Sequence, residues 1–225
     1  MTTFANITLG IHIAAGFLAL VVGPIAMATR KGGNRHRQAG RSYFWAMVVV
    51  IITALFLAIY DLNIFLLAIA VFSFYATASG YRVLYLKKLY KGEGNLFWDR
   101  LLAIATALAG VTMFVLAVVY ESVLALFFGV LIVLVVSSDI NRLRGKVRKG
   151  DWFFEHITAM LAAYIATVTA FLSTNVTFLP TNVVWMTPTI IGSIGISLTI
   201  RHYKKRLKHR DANEIIETRI NSADA

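Results

Sequence analysis

All 22 lysine and arginine residues of this 225-residue chain fall into four short segments, and the stretches between them carry no basic residue at all. Residues 30–41, 82–100 and 142–149 hold five each, and 201–219 hold seven. The intervening runs are apolar and close to the roughly 20 residues that a helix needs to cross the hydrocarbon core. Basic loops are retained on the cytoplasmic side of a membrane. The alternation therefore predicts an all-α polytopic membrane bundle of seven transmembrane helices, with the N-terminus outside and the C-terminus in the cytoplasm.

The spans are expected at about residues 7–29, 43–60, 63–86, 98–120, 122–141, 152–174 and 182–200. Short outer turns around Asp61 and Glu121 make antiparallel hairpins of spans two and three and of spans four and five. Residues 1–203 then form one transmembrane domain, and 204–225 a short hydrophilic cytoplasmic tail. Aromatic residues mark the boundaries: Tyr43, Tyr85, Trp98, Trp152 and Tyr203 at inner ends, Tyr60, Tyr120, Phe178 and Trp185 at outer ends, as in interfacial belts. Ala26-Met27-Ala28 resembles a cleavage site, but the positive charge follows the apolar run instead of preceding it, so the first span is expected to stay uncleaved.

Hydrophobic residues make up 58 % of the chain and charged residues 15 %, against about 25 % charged in soluble domains. Lipid is therefore the solvent for most of the surface, and a bacterial cytoplasmic membrane is the expected location. The formal charge of +11 reflects topology, since only the acidic Asp61 and Glu121 fall outside. The expected partners of the basic loops are anionic lipid headgroups, not nucleic acid. Cysteine is absent, which excludes disulfides, thiolate nucleophiles and Cys-ligated metal centres. Small residues at helical spacing (Ala159, Ala163 and Thr167; Ala105 and Ala109; Thr189, Ser193 and Ser197) provide faces for close helix packing, within one chain or in a homo-oligomer.

Ionisable residues inside a bilayer are costly and face the bundle interior. His12 shares a helix face with Gly16, Ala19 and Gly23, and His156 shares one with Ala159, Ala163 and Thr167, so both should point inward. Each is an intramembrane functional candidate; each would equally serve as an interior hydrogen-bonding group. For His12 the expected partners are hydroxyls, amides or carbonyls freed by a helix break, for example near Pro188. Depth separates the two histidines by about 17 Å at 1.5 Å rise per residue, so they do not share one haem iron. A second set collects at the inner ends: His36, Asp99, Asp139, Glu155 and His156. Imidazole and carboxylate groups are ligands for zinc or another divalent metal, although no His-x-x-x-His or His-Glu-x-x-His spacing occurs. The loop 30–41 is a third candidate. Lys31, Arg35, Arg37 and Arg41, beside Gly32 and Gly33, can form a nest for an anion or a lipid headgroup.

Several of these residues fall in a wider pattern. His12-x-x-x-Gly16, Gly23-Pro24, Lys31-Gly32-Gly33-x-x-His36-Arg37-x-x-Gly40-Arg41, Tyr43 and Met47 resemble the opening of a family of predicted bacterial multi-pass membrane proteins of unknown function. His156-Ile157-x-x-Met160, Tyr164-Ile165-Ala166, Thr169-Ala170-Phe171, Asn175, Pro180, Trp185 and Pro188 are similar to its closing region. The resemblance implies a single-domain membrane protein and supplies no activity, cofactor or catalytic residue. Three function classes stay open: a small transporter or channel-like permeation protein, a membrane-embedded metal- or haem-dependent enzyme or redox protein, and a non-catalytic membrane component or sensor.

Overall fold

The structure, a computed structural model, describes residues 3–223, with side chains as far as residue 207. It is all-helical, with no strand among the described residues. The helices are α1 (Thr3–Ala28), α2 (Asn34–Tyr60), α3 (Ile64–Arg82), α4 (Phe97–Val119), α5 (Val123–Ser138), α6 (Ile140–Leu143), α7 (Asp151–Asn175) and α8 (Thr181–Ala223). A single 3-10 turn, Leu89–Lys91, interrupts the link between α3 and α4.

Six of these are long and apolar enough to cross a membrane: α1, α2, α3, α4, α7 and the Thr181–Leu207 part of α8. The fifth expected span is shorter, because α5 has 16 residues, about 24 Å of helix. It stops at Asp139, whose N–H turns back onto the Ser137 and Val136 carbonyls, and the chain restarts in the four-residue α6. That break aims both Asp139 and Arg142 inward. At the second expected span the helix is longer than the apolar run: α2 starts at Asn34, nine residues before Tyr43. Arg35, His36, Arg37 and Arg41 therefore project from helical turns, and the loop contracts to 29–33. Long basic side chains are good helix formers, so the helix continues past the apolar boundary. At the other end α8 runs unbroken from Thr181 through the expected tail; the side chains of 208–225, and Asp224 and Ala225 altogether, lie outside the described residues.

Packing is organised around α3, the most enclosed of the six long spans, which touches α2, α4 and α7. Its small residues Ala68, Ala70, Ser73, Ala76, Ser79 and Gly80 allow that crowding. At Gly80 a Cβ would stand 2.8 Å from the Met160 sulfur of α7. The α1/α2 hairpin closes on α3 and α7 through Ala19, Tyr43, Met47, Ala76 and Ala163. The α4/α5 hairpin forms a second cluster on α3 through Phe72, Met113, Phe128 and Ile132. In α4 the buried stripe is Ala103, Thr106, Gly110, Met113 and Ala117; Ala105 of the expected small face is exposed. The small faces of α7 and α8 are used inside the chain, Ala163 in the core and Thr189, Ser193 and Ser197 along a cavity.

The two short hairpin turns, α2–α3 and α4–α5, have one construction. After α2, Asn63 N–H reaches the Ala58 carbonyl across Leu62 at φ 50°; after α4, Ser122 N–H reaches the Ala117 carbonyl across Glu121 at φ 50°. Asn63 and Ser122 then cap the next helix by accepting from Leu66 N–H and Ala125 N–H. Each helix is thus terminated by a left-handed residue and the next begun one residue later.

Candidate functional site

At the basic end of the bundle the chain encloses a guanidinium almost completely. Arg142 is 2 % exposed, and it is the hub of a network drawn from four helices. Its three nitrogens meet Asp139 at 2.7 Å, Asp99 at 3.3 Å and Glu155 at 3.3 Å. Asp99, also 2 % exposed, takes a second guanidinium from Arg82 at 2.7 Å. The Tyr75 hydroxyl donates to Asp139 at 2.6 Å. Burial opposes the charge on Arg142, but the surrounding Asp139, Tyr75 and Glu155 outweigh it and raise the pKa above the ordinary guanidinium value. Only a planar fork of five donors can serve three carboxylates in this way.

Three carboxylates face two guanidiniums here. Asp99 is sealed by both arginines, whereas Asp139 and Glu155 keep 20 % and 24 % of their side chains accessible. These two residues, with Arg142 and Tyr75, form one end of a cavity of about 610 Å³ between α3, α5, α7 and α8. Its walls are mostly aliphatic and aromatic, interrupted by Thr158, Thr169, Thr189 and Ser193. Along α8 the lining runs from Trp185 to Lys204, about 28 Å of helix. At the far end Trp185 packs edge-on against Phe65 and Phe128, at 5.1 and 5.8 Å between ring centres. The result is an apolar slot with an aromatic stopper at one end and a charged floor at the other.

The five inner residues considered as metal ligands separate into two groups. Asp99, Asp139 and Glu155 serve Arg142, while His36 and His156 lie beside each other with ring centres 6.4 Å apart. Among the described residues no group of three or more His, Asp or Glu side chains is placed to hold a metal ion. His36 Nδ1 donates to the Ala26 carbonyl at 2.8 Å, at the end of α1, and His156 Nδ1 to the Gly80 carbonyl at 2.7 Å, near the end of α3. Both carbonyls lie in the last turns of their helices, where intrahelical N–H donors run out; that of Ala26 also accepts from Thr29 and Lys31. His12 does point inward, and its Nδ1 meets the Val50 carbonyl at 3.2 Å and the Thr53 hydroxyl at 2.9 Å, both on α2 and not near Pro188. Thr53 in turn donates to Val49 and Val50.

In the basic loop, Gly32 adopts φ +76°, but the Gly33 N–H is occupied by the Arg30 carbonyl at 3.0 Å. Lys31 folds back onto the Met27 carbonyl at 2.6 Å and caps α1, and partial burial lowers the pKa of its ammonium. Two of the donors expected to cradle an anion are thus engaged within the chain. Arg35, Arg37 and Arg41 lie on the first turns of α2.

Arg142, Arg82 and Tyr75 were not singled out by the sequence. Both arginines belong to basic segments that topology already accounts for, and Tyr75 is one aromatic among many. The available signal was the i, i+3 spacing of Asp139 and Arg142 at the end of an apolar run, together with two further carboxylates at the same end. The cavity has no sequence signature, since its lining residues are those of any apolar helix.

Residues 9–94 are similar to a family described as Predicted membrane protein (DUF2306). The matched stretch begins in α1 just ahead of His12, takes in the basic loop and ends within the α3–α4 link, leaving out Arg142, α7 and α8. No curated protein matches the chain, and no solved structure does.

Proposed function

We propose that this is a small permeation protein of a bacterial cytoplasmic membrane, whose α3/α5/α7/α8 cavity takes an amphiphile with an apolar body and a cationic head group. One observation carries this reading: the apolar slot ends on Asp139 and Glu155, two partly accessible carboxylates that share the single Arg142. An apolar body gains roughly 25 cal/mol for each Å² removed from water, and a cationic head group can pair with the accessible oxygens of Asp139 and Glu155. Entry is from the lipid, between α5 and α8, which touch each other only sparsely.

All seven segments cross the bilayer in this reading, with the N-terminus outside. The support for α5 is the ion network itself: Arg142, just past its end, pairs with Asp99 in the first turn of α4. The two helices thus begin and end at one level, and α5 crosses with local thinning of the bilayer at modest cost.

The test uses two probes of one shape and opposite charge. Equilibrium dialysis of the purified protein in maltoside micelles, against empty micelles, should show saturable binding of tetraphenylphosphonium and none of tetraphenylborate. Filling the slot with Ala162→Trp should abolish the binding. Equal retention of the two ions, or phosphonium binding no greater than by empty micelles, would rule the reading out.

A further inference from the structure

His36 and His156 come from distant parts of the chain and meet at the basic end, His36 in the first turn of α2 and His156 in the second turn of α7. Their ring centres are 6.4 Å apart and their planes cross at 80°. Each ring uses Nδ1 on a backbone carbonyl. A carbonyl only accepts, so in the neutral ring the proton resides on Nδ1 and Nε2 keeps its lone pair. Proteins orient imidazole for metal binding in just this way, with one ring N–H tied to a carbonyl and the other nitrogen left basic and fixed.

The ring spacing is compatible with one ion held between the two Nε2 atoms. With a metal–nitrogen bond of about 2.0–2.1 Å, each ring centre stands about 3.2 Å from the ion, so two rings on opposite sides of it are about 6.4 Å apart. A tetrahedral pair would be closer, at about 5.2 Å. Charge acts in the same direction. Lys31 and Lys87 are the ammonium groups that bear on His156, whereas Glu155, its neighbour in sequence, is held by Arg142 at 3.3 Å. Two neutral ligands, neighbouring cations and no carboxylate disfavour a divalent ion more than a monovalent one of low coordination number. Imidazole is a good ligand for copper.

The geometry points to a two-imidazole site for copper(I) formed by His36 and His156. Neither residue lines the amphiphile cavity, so the site stands independently of the permeation reading.

The test uses protein purified without a polyhistidine tag, under anaerobic reducing conditions, with copper(I) supplied against a colorimetric chelator. One copper per chain should be retained, with X-ray absorption showing two nitrogen neighbours. Asparagine is the informative substitution, because its amide nitrogen reaches the place of Nδ1 and keeps the helix cap while the Nε2 ligand is lost. His36→Asn and His156→Asn should each weaken binding about tenfold or more, and His12→Asn should leave it unchanged. If either variant does not purify as a single species, diethylpyrocarbonate modification of the unsubstituted protein provides the readout, and copper(I) should protect both histidines. Absence of retained copper, undiminished affinity in the double asparagine variant, no protection, or zinc held as tightly as copper(I) would overturn the site.

Discussion

Pro24 has no N–H, so the Leu20 carbonyl one turn earlier loses its helical partner inside α1. Tyr164 of α7 replaces it, its hydroxyl donating to Leu20 at 3.2 Å. Gly23 makes this contact possible, because a Cβ there would run into the Tyr164 ring. The Gly23-Pro24 pair and Tyr164 are therefore one device, in which a proline creates the acceptor, a glycine opens the approach and a tyrosine fills it. Tyr164→Phe should lower stability by about 0.5–1.5 kcal/mol, measured by denaturant unfolding in maltoside micelles. Arg142 represents the larger effect. Arg142→Met leaves Asp99 with Arg82 alone and strips Asp139 and Glu155 of their cation, a loss of about 3–5 kcal/mol for a buried pair. Arg142→Lys should recover little of this in the same unfolding assay, since one ammonium cannot reach three carboxylates in a plane.

The two hairpin turns show how an element boundary is built with an imperfect residue. Leu62 and Glu121 both sit at φ 50°, a left-handed conformation that costs a residue bearing a Cβ about 1–2 kcal/mol. Neither turn uses the glycine that would relieve the strain, because the flanking caps Asn63 and Ser122 and the 6→1 bonds hold the geometry regardless. Glu121→Gly should therefore raise stability by about 0.5–1 kcal/mol, net of glycine's greater freedom when unfolded, and a lower thermal midpoint would contradict this account. The α4/α5 hairpin has a second determinant at its crossing, where a Cβ on Gly129 would stand 3.1 Å from the Phe114 nitrogen and 3.2 Å from the Gly110 carbonyl. Backbone against backbone cannot relax by rotamer change, so the two glycines set how closely these helices approach.

For the whole molecule, reporter fusions after Arg41, Lys91, Lys149 and Arg210 should report cytoplasm, and fusions near Asp61, Glu121 and Phe178 the opposite side. A cytoplasmic signal at Phe178 would mean that α5 does not cross. Helical class, membrane residence and the positions of the hairpin turns were legible in the chain, because the cost of burying charge in lipid acts on every residue locally and leaves its mark as a one-dimensional pattern. The inward face of His12 was legible for the same reason, through Gly16, Ala19 and Gly23 along one helix. Its partner on α2 was not, and neither was the division of the inner polar residues into an arginine-centred cluster and a histidine pair. Asp99, Asp139 and Glu155 are separated by 40 and 16 positions in the sequence, and only the packing of α4, α5 and α7 around α3 brings them onto one guanidinium. The cavity is likewise a property of packing, since it exists where α5 and α8 fail to close over α3 and α7. Hydrophobic patterning determines which helices form and where they reside; relative placement is decided by side-chain fit at glycine crossings and by buried charges that must find one another in a medium with no water to solvate them.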